Sequence, residues 1–163
     1  MKTLPSFDEI SALLAYDPAT GVLRWRVNCR GTVRAGNVAG CQYSNGYVMV
    51  SVLGRRFLAH RLAWLLATGA WPNSEIDHLD GDRANNRISN LRDVSHLTNM
   101  QNRRMANSDN TSGFLGASPY KGRWKAQIKI VGKVRYLGMF DSPEAAHAAY
   151  IEAKRKLHPG CVI

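Results

Sequence analysis

The 163 residues carry 22 Lys/Arg against 12 Asp/Glu, a net charge of +10, with 45% hydrophobic and 9% aromatic content. That balance is globular and excludes a disordered chain, and no apolar run approaches the roughly 18 residues a membrane span needs. So basic a small protein points to a polyanionic partner, and its length admits one ordinary domain or two small ones.

In chain order, the opening MKTLPSFDEI has no apolar stretch of the secretory kind, which predicts a cytoplasmic protein. Ser6-Phe7-Asp8-Glu9 reads as a capping box that starts a short helix running to about Leu14. Asp17-Pro18-Ala19-Thr20-Gly21 breaks it, and alternation over 22–27, 47–53 and 56–58 predicts strands with hairpin turns at Asn45-Gly46 and Gly54. His60 to Thr68 has helical composition and stops at Gly69, with Pro72 beyond. His60 itself reads as a structural, hydrogen-bonding histidine. Cys29, Cys41 and Cys161 make no CxxC pair, so neither a disulfide framework nor a structural zinc is expected.

The segment EIDHLDGDRANNRISNLRDVSHLTNMQN, residues 75–102, concentrates hydrolytic side chains. Glu75 to His78 predicts a short strand, Asp80-Gly81-Asp82 a tight turn, Asn90 to Val94 a returning strand, and Ser95 the cap of a helix through Asn102. Asp80-Gly81-Asp82 also opens like an EF-hand loop, but the glutamate expected at the twelfth loop position is missing. Hydrolysing a phosphodiester needs a base for water and a cation for the charge that builds on phosphorus and the departing oxygen. A neutral imidazole near pH 7 can be that base once its ring is held. Asp77 and Asn99 offer hard oxygen ligands suited to Mg²⁺ or Mn²⁺. A regular strand sends Asp77 and His78 to opposite faces, so serving one cleft requires the strand to end or twist there. His96, three residues before Asn99, is an alternative third ligand that would tilt preference toward zinc or nickel. An isolated Asp-His pair is an ordinary loop feature; the whole set in this order and spacing is what carries the reading.

These residues resemble the HNH endonucleases of ββα-metal fold, specifically the phage and intron-associated homing branch with Asp-His in place of a His-His pair. The preceding HRLAWLLATGAWP extends the likeness to roughly residues 16–103. The resemblance implies Asp77 and Asn99 as metal ligands, His78 as general base, and Asn90 as the residue that ties the loop back and orients the base. It also implies one Mg²⁺ or Mn²⁺ per active site, and double-stranded DNA cut to 5′-phosphate and 3′-hydroxyl ends. One such centre per chain cuts one strand, so a monomer nicks and a double-strand break requires a homodimer or two events.

Residues 103–112 carry no apolar periodicity and read as a linker between a nuclease domain, 1–102, and a second domain, 113–163. Lys and Arg outnumber Asp and Glu by 11 to 4 over residues 102–163, for +7, and by 11 to 8 over residues 1–101, for +3. Runs at 113–118, 123–131 and 134–140 predict three strands, and Ser142 caps a helix with Pro143 at its first position. Ala146, Tyr150, Ala153 and Leu157 give that helix one apolar face. In RWKAQIKI, from Arg123, one face carries Arg, Lys, Gln and Lys and the other Trp, Ala, Ile and Ile. GRWKAQI and YLGMFDSPEAA within residues 110–154 resemble an AP2/ERF-type DNA-binding domain, three strands and a helix. That likeness and the charge select Arg123, Lys125, Gln127, Lys129, Arg135 and Tyr136 as DNA contacts. The expected architecture is α+β: an N-terminal hairpin and helix region leading into a ββα-metal module at 75–102, then the sheet and helix. A DNA-binding protein with no enzymatic role is the alternative, with the HNH segment as scaffold; RNA binding through the basic sheet is a third.

Overall fold

The computed structural model describes residues 3–29, 31, 33–104, 106 and 110–162, which divide into two compact units, residues 1–95 and 96–163. The architecture is mixed α+β, built from small antiparallel sheets and four α-helices among the described residues.

The first unit opens with α1 (Phe7–Leu13), whose capping box is complete: Ser6 Oγ accepts from the Glu9 amide at 3.2 Å, and Glu9 Oε2 accepts from the Ser6 amide at 2.8 Å. The chain then turns straight into β1 (Leu14–Asp17), which pairs antiparallel with β2 (Val22–Trp25). The sequence alone predicts no strand at β1. Its residues pair across the turn that follows, with Leu14 opposite Trp25, and bury Leu14 completely. A second sheet runs β3 (Cys41–Gln42), β4 (Val48–Val52), β5 (Arg55–Leu58), with the expected turns at Asn45-Gly46 and Leu53-Gly54.

Helix α2 (Ala59–Thr68) follows β5 without a break and ends on Gly69, whose φ of 82° and open surroundings meet the left-handed geometry of a helix stop. Ala59, Leu62 and Leu65 join Ile10, Leu14, Leu23, Val50 and Phe57 in the main core. Ala63, one turn beyond Ala59, packs instead with Ile76 and Leu91. Those two residues belong to the hairpin β6 (Glu75–His78) and β7 (Leu91–Val94), paired in register from Glu75 opposite Val94 to His78 opposite Leu91. A single 3₁₀ turn, Ile88–Asn90, precedes β7. Helix α2 is thus the wedge between the main core and the hairpin that carries Asp77 and His78.

The second unit begins with α3 (His96–Gln101). The C-terminal segment closes on it: the Gly160 amide donates to Gln101 Oε1 at 3.0 Å. The sequence-based boundary at 103–112 and this division differ over where α3 is assigned. Positions 105 and 107–109 of the expected linker lie outside the described residues. Around Asn110 to Phe114 the chain is a turn held by side chains, with Ser112 Oγ donating to Asn110 Oδ1 at 2.7 Å. The strand expected at 113–118 therefore starts late, as β8 (Ala117–Tyr120). It pairs with β9 (Arg123–Ile130), which pairs with β10 (Lys133–Phe140). Helix α4 (Pro143–Leu157), capped by Ser142 Oγ at 3.1 Å from the Ala145 amide, covers one sheet face through Ala146 against Ala117 and Ala126. Lys154, outside the apolar face read from the sequence, is buried with its ammonium donating to the Arg103 carbonyl. No helix among the described residues is long and apolar enough to cross a membrane.

Candidate active site

Asp77 and His78 end β6, and both are buried, at 6% and 4% exposed. Register places Asp77 opposite Arg92 on one face and His78 opposite Leu91 on the other. Arg92 donates Nε–H and Nη2–H to the same Asp77 oxygen, Oδ2, at 2.9 and 2.7 Å. That charge-assisted pair anchors one carboxylate oxygen. The strand ends at His78, as the sequence argument requires: the Gly81 amide turns back onto the His78 carbonyl at 3.0 Å.

The loop after His78 is held by its own carboxamides. Asn90 Oδ1 accepts from the Asp80 amide at 3.0 Å, while Asn90 Nδ2 donates to Asp80 Oδ1 at 2.9 Å and to the Asn85 carbonyl at 2.8 Å. Asn85 Nδ2 reaches Asp80 Oδ2 at 2.6 Å. Partial burial would raise the Asp80 pKa, but the hydrogen bonds from Asn85 and Asn90 outweigh it and hold the carboxyl below its ordinary value.

The imidazole of His78 meets a different carboxamide, that of Asn86, with Nε2 at 3.2 Å from Oδ1. A carboxamide oxygen only accepts, so this contact puts the proton on Nε2 and the lone pair on Nδ1. Burial lowers the His78 pKa, opposed by the Asn86 hydrogen bond and by the charges of Asp80, Asp77 and Asp82. The ring is therefore neutral at pH 7.

Asn86 is itself buttressed by the N-terminal hairpin. Tyr16 donates its hydroxyl to the Asn86 carbonyl at 2.8 Å, and burial pushes that phenol up to about 12, so it stays a donor throughout the physiological range. Arg87 Nε donates to the Ala19 carbonyl at 2.8 Å. Gly21 lies so close that a Cβ there would stand 2.5 Å from the Arg87 nitrogen and 2.6 Å from the Asn86 carbonyl carbon.

Two more rings reach His78. His60, at the start of α2, lies with its ring centroid 5.1 Å away and its plane at 82°. It shares the Ala63 face of the helix, three residues earlier, which turns it toward the hairpin. Tyr47, just before β4, lies 5.4 Å from His60 and 6.1 Å from His78. Burial lowers the His60 pKa to about 3.

Asn99 and His96 lie on α3, in the second unit. Among the described residues no three or more His, Cys, Asp or Glu side chains converge as a metal cage. On the β9–β10 sheet, Arg123, Lys125, Gln127 and Lys129 share the face away from α4, and Tyr136 joins them opposite Gln127. Arg135 stands opposite buried Ile128 and so belongs to the other face. The period of two already separates it from Tyr136 in the sequence. Nothing in the sequence singles out Asn86, Arg92, Tyr47 or His60 as neighbours of Asp77 and His78: these contacts form only once loop and helix are folded against β6.

Of the candidate residues, Asp77, His78 and Asn90 thus lie on one antiparallel hairpin, whose first strand ends in buried Asp77 and His78 and whose strands are joined by a carboxamide-laced loop. A family model described as HNH endonuclease matches residues 57–101, from the end of β5 through α3. The chain thus carries an HNH endonuclease domain there, which points to nuclease or DNA-binding function and to DNA as substrate. No curated protein and no solved structure matches the chain.

Proposed function

We propose that the chain is a metal-dependent DNA endonuclease of the homing type, in which a ββα module at 75–102 hydrolyses the phosphodiester and the basic sheet at 113–163 grips double-stranded DNA in the AP2 manner. The observation that carries this reading is the buried His78 with Nε2 on Asn86, next in sequence to buried Asp77 at the end of β6. In this reading His78 Nδ1 takes a proton from the attacking water, the new P–O bond forms, and the P–O3′ bond breaks, the 3′ oxygen leaving with the bonding pair and taking a proton from solvent water. Asn86 fixes the tautomer, and Asn90 keeps the loop that carries Asn86 closed through its bonds to Asp80 and Asn85. Arg92 anchors one oxygen of the Asp77 carboxylate.

Asp77 and Asn99 are the proposed ligands of a divalent cation, Mg²⁺ or Mn²⁺. An all-oxygen set of one or two protein ligands suits an ion that keeps phosphate and water in its remaining positions, and it does not suit zinc. When bound, the cation supplies charge neutralisation for the phosphorane and the departing oxygen. Arg123, Lys125, Gln127, Lys129 and Tyr136 form the DNA-facing surface, with a net charge of +7 over residues 102–163 behind it.

Plasmid nicking in Mg²⁺ and in EDTA tests the reading. Wild type should nick with Mg²⁺ and stop in EDTA, and His78→Ala should lose cutting while keeping its affinity for duplex DNA. Equal cutting by both proteins would remove His78 from the mechanism. Tight DNA binding without cutting in any divalent metal would leave a DNA-binding protein.

A further inference from the structure

The hydrogen bond that orients His78 is long for N–H···O, at 3.2 Å. The outer torsion of a histidine is broad and two-fold, so what packs against the faces and edges of the ring bears directly on its plane. Against His78 that packing is a stack of rings. His60 packs edge to face on His78, and Tyr47 touches both. The far side of the stack is closed by Arg83, whose guanidinium lies 4.8 Å over the Tyr47 ring and whose Nη1 donates to the Asn45 carbonyl at 2.8 Å. Arg83 sits in the loop that follows His78, so the residues before β4, the start of α2 and the end of β6 are interlocked around one imidazole.

The geometry points to His60 and Tyr47 as positioning residues that hold the plane of the His78 imidazole. His60 has no proton to carry: burial lowers its pKa to about 3, so it cannot accept from His78 near neutrality. Its buried Nδ1 has no hydrogen-bond partner among the described residues. An aliphatic side chain would fill that space without leaving a polar atom unsatisfied, so the ring itself is what the place requires. This inference rests on the reading of His78 as general base.

The test replaces each ring by an aliphatic and by another aromatic side chain: His60→Leu, Tyr47→Leu, His60→Phe and Tyr47→Phe. Loss of orientation should cut kcat for nicking by about 10- to 100-fold in the leucine variants, with KM within about twofold. The phenylalanine variants should keep kcat within about threefold of wild type. In the absence of metal and DNA, the His78 ring protons of wild type should show one narrow, ring-current-shifted set in NMR spectra. That shift should survive in the phenylalanine variants and collapse in the leucine variants. Leucine variants with wild-type kcat, leucine and phenylalanine variants that fall together, or ring shifts indifferent to all four changes would each overturn the proposal. Thermal midpoints and DNA affinity in EDTA identify any variant that has merely unfolded, and Tyr47, only partly buried, gives a second route should His60→Leu not fold. A wild type that never nicks would sink the endonuclease reading, and the NMR shifts alone would then decide whether these rings hold His78.

Discussion

His60 couples the site to stability through a proton. The residue is 5% exposed, and burial takes its pKa from 6.5 to about 3. The unfolded chain binds that proton below pH 6.5 and the folded chain does not, so the stability His60 contributes is complete above pH 6.5 and is lost as pH falls toward about 3. Within that window each pH unit costs up to about 1.4 kcal/mol. Urea denaturation at about pH 7 and about pH 5 should therefore find wild type losing about 2 kcal/mol more than His60→Phe, which has no proton to bind. Parallel pH profiles would mean that the ring is not buried as a neutral group. Asn90 acts at the same scale without a charge. Its carboxamide joins the Asp80 amide, the Asp80 carboxylate and the Asn85 carbonyl. Asn90→Ala strands those partners and should cost about 1 to 3 kcal/mol by calorimetry. Nicking should fall with it, because the loop that presents Asn86 loses its tie; an unchanged nicking rate in the folded variant would detach Asn90 from the site.

Among the elements, the β1–β2 hairpin does more than fill the core: Tyr16 and Gly21 bear on the backbone at 86–87, and the Ala19 carbonyl accepts from the Arg87 side chain. Gly21 has φ 77°, and a methyl group there would press on main-chain atoms that cannot swing aside. Gly21→Ala should cost about 2 kcal/mol or more and lower nicking even where circular dichroism reports a folded protein, since it displaces Asn86 from His78. Gly69→Ala is the control. Its φ of 82° is equally left-handed but nothing lies within reach of a new Cβ, so it should cost about 1 kcal/mol and leave nicking intact. Local signals make part of this legible from sequence. The Ser6 capping box, the Gly69 stop and the hairpin turns depend on neighbours within a few residues, and they stand where the spacing predicts. β1 is hidden because its pairing closes across the Asp17–Gly21 turn, with Leu14 opposite Trp25. The partner of His78 is hidden for a different reason. Asn85, Asn86 and Asn90 share one aperiodic loop, and composition cannot say which carboxamide turns inward; folding gives Asn86 to His78 and Asn90 to Asp80.

For the whole molecule the decisive quantity is how charge is divided along the chain. Residues 102–163 carry 11 Lys/Arg against 4 Asp/Glu, and residues 1–101 carry 11 against 8. Residues 1–101 are therefore nearer to balance, at +3, while the face of the β9 strand repeats Arg123, Lys125 and Lys129 at alternate positions around Gln127. If that face follows phosphates, affinity for duplex DNA falls linearly with the logarithm of salt concentration, and each lysine that neutralises a phosphate contributes about 0.9 to the slope. Lys125→Ala and Lys129→Ala should each lower the slope by about 1 while leaving the nicking rate at saturating DNA near wild type. His78→Ala should do the reverse, abolishing cutting with the salt slope intact. Binding and chemistry would then separate cleanly along the chain. A Lys125→Ala, Lys129→Ala double variant that bound DNA with the wild-type slope would move the grip off the sheet, and the excess positive charge would need another surface to act on.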